Sequence, residues 1–230
     1  MPDLKERHMP NSSNLRFFLD TADVKEWAKW LPTGLFYGVT TNPVLLKAAG
    51  VACTHASLRD LARAAFTLGV QEVQIQTWGR TAEAYIANGR ELAQIDPRVV
   101  VKIPTNEAGI HSAKALIAAG TRVTLTVVYT PAQALLASAI GASYSAPYLG
   151  RINDAKRDGF GDIVAMHKGA RAASGDTRIL VASLRGAGDV AKLAADGLDT
   201  FTFSPKVAAS FFEDELANAA IEAFEVAAEG

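Results

Sequence analysis

Val99-Val100-Val101-Lys102-Ile103-Pro104 is a run of apolar, mostly β-branched residues with one lysine inside it. β-Branched side chains suit the pleated surface of a strand, and a continuous apolar run suits a strand covered on both faces, as in a parallel sheet. A charged amine in such a strand has two readings. It reaches solvent at the strand end, or it is kept neutral enough to serve as a nucleophile toward carbonyls.

Working outward, short apolar runs alternate with longer helical patterns along the chain. Strands are expected at 15–20, 36–41, 72–77, 99–103, 122–128, 142–148, 178–183 and 200–203. Helices are expected at 24–31, through Leu68 after the second strand, at 82–92, 110–119, 131–139, 163–173 and 189–195, and from Val207 to the C-terminus. Pro131 fits the first turn of its helix. Eight strands, each followed by helix, predict an α/β fold of one closed (β/α)8 TIM barrel over 14–230, ending in a C-terminal helix. A doubly wound open sheet is the competing architecture. It would want a Gly-rich phosphate loop after the first strand, where Asp20-Thr21-Ala22-Asp23 stands instead.

The 230 residues and 49% hydrophobic content suit one domain with a sizeable core. The net charge of -1, from 23 basic and 24 acidic residues, gives no sign of a nucleic acid or anionic membrane partner, though a local phosphate pocket remains compatible with it. Cys53 is the only cysteine, so no internal disulfide forms and no cysteine zinc motif exists. His8, His55, His111 and His167 show no metal-ligand spacing, and no metal site is expected. Residues 1–13 are polar and read as a flexible arm rather than a signal peptide. No apolar run is long enough to span a bilayer, and the expected location is the cytoplasm.

Barrel enzymes work at the C-terminal ends of their strands. Polar residues at those ends are Asp20, Thr41 with Asn42, Gln76, Lys102, Thr126, Tyr148 and Ser183, one set from seven of the eight strands. In the third strand, Val73 and Ile75 share one face, which leaves Gln74 and Gln76 to point into the barrel. The fifth strand repeats this, with Thr124 and Thr126 opposite Val123, Leu125 and Val127. Each residue also has a plainer reading. Asp20 can cap a helix, and Thr40-Thr41-Asn42 before Pro43 can be turn chemistry. Tyr148 can be a core aromatic, and Arg151 and Arg185 can be surface charges. Together they suit a catalytic site, because each falls where a barrel focuses its chemistry.

Such a set could run Schiff-base chemistry. Lys102 would attack a ketose carbonyl, and the carbinolamine would lose water with help from a nearby proton donor. The iminium would then draw electrons from the adjacent C–C bond as Asp20 takes the neighbouring hydroxyl proton. Thr126, Tyr148 and Gln76 could hold a relay water, while Asn42 and Ser183 orient sugar hydroxyls. Arg151 and Arg185 lie just past strands six and seven, where barrels often bind phosphate, and a guanidinium suits that task.

At these residues the chain resembles the transaldolase and fructose-6-phosphate aldolase family of Schiff-base barrel enzymes. The matching segments are Leu19-Asp20-Thr21-Ala22-Asp23, Gly38-Val39-Thr40-Thr41-Asn42-Pro43, Val101-Lys102-Ile103-Pro104, Ala146-Pro147-Tyr148 with Arg151-Ile152, and Ala182-Ser183-Leu184-Arg185. The resemblance runs from about Leu15 through the C-terminal helix. It implies Lys102 as the Schiff-base lysine, Asp20 as the acid/base, Asn42, beside Thr40, as a substrate-hydroxyl ligand and Thr126 as holder of the catalytic water. It implies phosphate binding by Arg151, and by Ser183 with Arg185. No metal or organic cofactor is implied. A homo-oligomer, pentamer or decamer, is implied, with residues 211–227 reaching a neighbour. Transaldolases of the family usually carry Glu and Phe where this chain has Gln76 and Tyr148, and the aldolase branch carries Gln and Tyr. The expected activity is therefore cleavage of fructose 6-phosphate, or a close analogue, into dihydroxyacetone and an aldose phosphate. The alternative is transaldolase activity in the pentose phosphate pathway. A non-catalytic sugar-phosphate binding barrel is a third reading.

Overall fold

A computed structural model describes residues 14–173 and 176–230. The expected arm at 1–13 lies outside the described residues.

Eight parallel strands form one sheet: β1 (Arg16–Asp20), β2 (Gly38–Thr40), β3 (Glu72–Gln76), β4 (Val99–Pro104), β5 (Val123–Val128), β6 (Tyr144–Pro147), β7 (Arg178–Ile179) and β8 (Thr200–Phe203). Seven ladders run from β7 through β6, β5, β4, β3, β2 and β1 to β8. Val181 closes the ring, since its N–H donates to Thr200 O at 3.0 Å and its carbonyl accepts from Thr202 N at 2.8 Å. The fold is the expected (β/α)8 barrel.

Two boundaries differ from expectation. The seventh strand, expected over 178–183, is regular only at Arg178–Ile179. Beyond it the backbone divides its bonds, Val181 going to β8 and Ala182 donating to Pro147 O beside β6. The helix expected to run unbroken from Val207 is two helices, Pro205–Ser210 and Glu215–Glu229. Phe211 folds back to 5.5 Å from Phe203, and Phe212 stacks on Trp30 at 6.1 Å. These contacts end the first helix, and the Asp214 side chain caps the second by accepting from Ala217 N.

Side-chain alternation divides the core. Leu19, Val39, Val73, Ile75, Val101, Ile103, Val123 and Leu125 face outward into a large apolar layer beneath the helices. Phe18, Val100, Tyr144, Ala146 and Leu180 form a smaller cluster inside the barrel. Below them the interior is polar. Glu72 is fully buried and accepts from Arg122 at 2.7 Å, from Tyr144 at 3.1 Å and from Gln74 at 2.9 Å. Thr124 donates to Gln74 Oε1 at 2.8 Å, so the inward placement expected of Gln74 and Thr124 is found. A buried carboxylate persists only when paired in this way. Gly38 is required here, since a Cβ would lie 2.3 Å from Glu72 O and 2.8 Å from the Phe18 ring.

Candidate active site

Above these interior layers, at the C-terminal ends of the strands, opens a cavity of about 390 Å³. Asp20, Asn42, Gln76, Lys102, Tyr148, Arg151 and Ser183 all line it. Residues separated by up to 163 positions thus share one concave surface because each lies in or just after the C-terminal part of a strand, Arg151 in the helix that follows β6.

Lys102 sits on β4 beside Gln76 of β3. It is 4% exposed, and its Nζ donates to the backbone carbonyl of Thr41 at 3.1 Å. Burial pushes its pKa below the ordinary lysine value, and the Asp20 charge opposes this only in part. The plain alternative, a strand-end lysine reaching solvent, does not describe this side chain.

Asp20 ends β1 and accepts a hydrogen bond of 2.6 Å from Thr40 Oγ1. The Thr40 hydroxyl also meets that of Thr202. Since the single Thr40 proton goes to Asp20, Thr202 donates to Thr40. Thr40 is fully buried and does not line the cavity, so it holds the carboxylate from behind. Asn42 has two tasks. Its Oδ1 caps the helix Pro43–Ala48 by accepting from Val44 N and Leu45 N, which leaves its amide nitrogen as a donor toward the cavity.

On the far wall, Tyr148 Oη and Thr126 Oγ1 are 2.9 Å apart. Thr126 is fully buried and reaches the cavity through this bond. Burial raises the Tyr148 pKa, the Thr126 bond opposing, so the phenol stays protonated. Arg151, in the helix Leu149–Asp154, lies with its guanidinium carbon 5.1 Å from the centre of the Tyr148 ring. Ser183 lines the cavity in the left-handed region, at φ 59°. Its carbonyl accepts from Gly150 N at 2.9 Å. Only glycine fits there, since a Cβ at position 150 would lie 2.5 Å from that carbonyl oxygen.

Thr40, expected among the substrate-binding residues, stands behind Asp20 and outside the cavity lining, and two further residues sit differently from the sequence reading. Arg185 does not line the cavity. Its guanidinium pairs with Asp154 at 2.7 Å in an exposed ion pair, and its N–H donates to Asp189. Val127 was expected outward with Val123 and Leu125, but it lines the cavity. The β5–β6 register shifts between Thr126 and Val128, and Val127 takes φ 65° in the resulting bulge.

The sequence reading also missed several lining residues. Thr202 supplies the eighth strand's polar group, and the alternation Thr200-Phe201-Thr202-Phe203 carried that signal. Leu180, Ala146 and Ala182 line the wall too, with nothing in their residue types to mark them. Among the described residues, no three His, Cys, Asp or Glu side chains gather closely enough to hold a metal ion. No helix of the described residues is long and apolar enough to cross a membrane.

The family model described as transaldolase/fructose-6-phosphate aldolase matches residues 17–229. A protein of Exiguobacterium sibiricum named probable transaldolase is 35% identical over 210 residues, spanning 91% of this chain and 96% of that one. One of Aquifex aeolicus with the same name is 35% identical over 210 residues, covering 91% and 94%. Among solved structures, dihydrodipicolinate synthase from Thermotoga maritima superposes with a TM-score of 0.62 at 12% identity, covering 90% of this chain and 79% of that one. That likeness concerns the fold alone.

Proposed function

Because the chain belongs to the transaldolase/fructose-6-phosphate aldolase family and is an enzyme of that type, we propose that it is a lysine Schiff-base aldolase. It would reversibly cleave fructose 6-phosphate, or a close analogue, into dihydroxyacetone and an aldose phosphate. The observation that carries the choice of branch is the neutral hydrogen-bonding wall facing Lys102: the Tyr148 and Thr126 hydroxyls 2.9 Å apart, with the Gln76 amide on the same cavity.

Lys102 Nζ attacks the ketone carbon, and the carbinolamine loses water to give the iminium. Lowering the amine's pKa by burial supports the attack, which needs a lone pair. Asp20 takes the proton of the hydroxyl on the far side of the scissile bond. The C–C electrons move into the iminium, the aldose phosphate leaves, and an enamine remains on Lys102. A water held by Tyr148, Thr126 and Gln76 protonates the enamine carbon. A second water then hydrolyses the iminium and frees dihydroxyacetone. Asn42 and Ser183 orient the substrate hydroxyls, and Arg151 takes the phosphate. Ser183 remains in this proposal, whereas Arg185 would have to leave Asp154 to join it.

Transaldolase activity is the second reading, favoured by the name that the relatives carry. There the enamine waits for an aldose acceptor instead of being protonated. Incubation with fructose 6-phosphate alone separates the two. Release of dihydroxyacetone without an acceptor is expected, and turnover only after adding erythrose 4-phosphate would reject the aldolase. Borohydride trapping with dihydroxyacetone should mark Lys102 in mass spectrometry. An unmodified Lys102 while ligand binds would leave the non-catalytic barrel.

We also propose a homo-oligomer. The helix Glu215–Glu229 has no buried residue, although Leu216, Ile221, Phe224 and Val226 give it apolar positions. Such residues are ordinarily covered, and a second copy is the partner that the family resemblance implies.

A further inference from the structure

Near its end β5 carries a residue that its own geometry disfavours. Val127 is β-branched and sits at φ 65°, a strained conformation that persists only where the surroundings impose it. Continued alternation from Thr124 and Thr126 would point Val128 into the barrel. The bulge reverses this parity. Val128 is fully buried in the outer apolar layer. Tyr129, half-buried and packed in part against the same layer, meets the cavity through Tyr148, edge-on to it with ring centres 5.6 Å apart and planes at 78°.

From there its hydroxyl accepts a 3.4 Å hydrogen bond from Arg151 Nη1. The loop carrying Tyr129 is itself held, since Tyr129 N and Thr130 N both donate to Gln133 Oε1, at 2.8 and 3.1 Å. Among the described residues, no carboxylate lies within 4.0 Å of the Arg151 guanidinium, whereas nearby Arg185 is paired with Asp154. A carboxylate would hold Arg151 equally well but would neutralise it. A phenol holds it and leaves its charge available to a dianion.

We propose that Tyr129 is a positioning residue for anion recognition. Past the Val127 bulge the Tyr129 phenol reaches Arg151, and Tyr129 and Tyr148 together fix Arg151 without cancelling its charge, ready for the phosphate of a sugar phosphate. This rests on the sugar-phosphate reading above.

The test uses the full chain with inorganic phosphate as probe, its binding followed by titration calorimetry. The wild type should bind phosphate and Arg151→Gln should not. Tyr129→Phe, which keeps the ring and removes only the hydroxyl, should weaken binding by about threefold to tenfold, the worth of one ordinary hydrogen bond, since this one is long at 3.4 Å. Its KM for fructose 6-phosphate should rise by a similar factor, more than kcat falls and more than KM for dihydroxyacetone changes. Phosphate affinity unchanged in Tyr129→Phe would overturn the proposal. So would equal losses toward phosphate and dihydroxyacetone, since these would mark a general structural role. A wild type with no phosphate affinity would also overturn it. Lys102 trapping by dihydroxyacetone needs no phosphate, so its failure would count against the aldolase reading separately.

Discussion

Lys102 Nζ donates to the main-chain carbonyl of Thr41, 3.1 Å away, in a setting where the lysine side chain is only 4% exposed. One carbonyl dipole does not replace the hydration of an ammonium ion, so the fold favours the neutral amine. Lys102→Met should cut activity by at least about a thousandfold, because the covalent route is lost. It should leave the fold intact and equally or more stable at neutral pH. The sign follows from linkage. A lysine with a depressed folded pKa destabilises the native state most below that pKa, and the penalty fades as pH rises through the unfolded value of 10.5. Thermal melts across pH should therefore show the wild type gaining on the variant toward alkaline pH. A variant that melts well below the wild type at pH 7 would refute this account of the amine.

Thr40 reaches the chemistry only through Asp20, whereas Thr202 both lines the cavity and meets the Thr40 hydroxyl. Thr40→Val should lower kcat by about tenfold to a hundredfold, the worth of a hydrogen bond to a charged group. Thr202→Val should do the same more weakly, because it acts one bond further away. An unchanged kcat in Thr40→Val would separate that hydrogen bond from the rate.

Tyr148 decides the fate of the enamine. Tyr148→Phe should reduce dihydroxyacetone release by about a hundredfold, within the range for a lost proton donor. Transfer of the three-carbon unit to erythrose 4-phosphate should fall less, so the ratio of transfer to release should rise. Product analysis with and without acceptor measures that ratio. Equal losses in both would remove Tyr148 from the branch point.

The two arginines should behave differently. Arg151→Gln should raise KM for fructose 6-phosphate by about tenfold or more, as expected for a charge-assisted contact. Arg185→Gln should change it far less, because its side chain is engaged with Asp154 outside the cavity. Steady-state kinetics on both variants would show this, and equal effects would mean that Arg185 leaves Asp154 when substrate binds.

The exposed C-terminal helix makes a prediction about mass. Sedimentation should show a species larger than one chain. Replacing Leu216 and Phe224, which are 83% and 72% exposed, by Asp should shift it toward the monomer. A wild-type protein that sediments as a single chain would end the oligomer proposal.

The barrel was legible because its signals are local. Runs such as Val99-Val100-Val101 and the glycine or proline breaks between them fix strands one at a time, and eight βα units in order leave few ways to pack. Lys102, Asp20, Asn42, Gln76 and Tyr148 could be read as one group because strand ends in a parallel barrel converge whatever their separation in sequence. What the sequence could not give depends on neighbours. The Val127 bulge arises from a register shift against β6, and it turns Val127 to the cavity and Val128 into the outer layer. Arg185 carries the same guanidinium as Arg151, yet Asp154 draws it away from the cavity while Tyr129 and Tyr148 hold Arg151 over it. Sequence alone determined which residues gather at the C-terminal end of the barrel. Only the tertiary structure decided which of them face the cavity with a free proton or an uncancelled charge, because that depends on partners supplied by other strands.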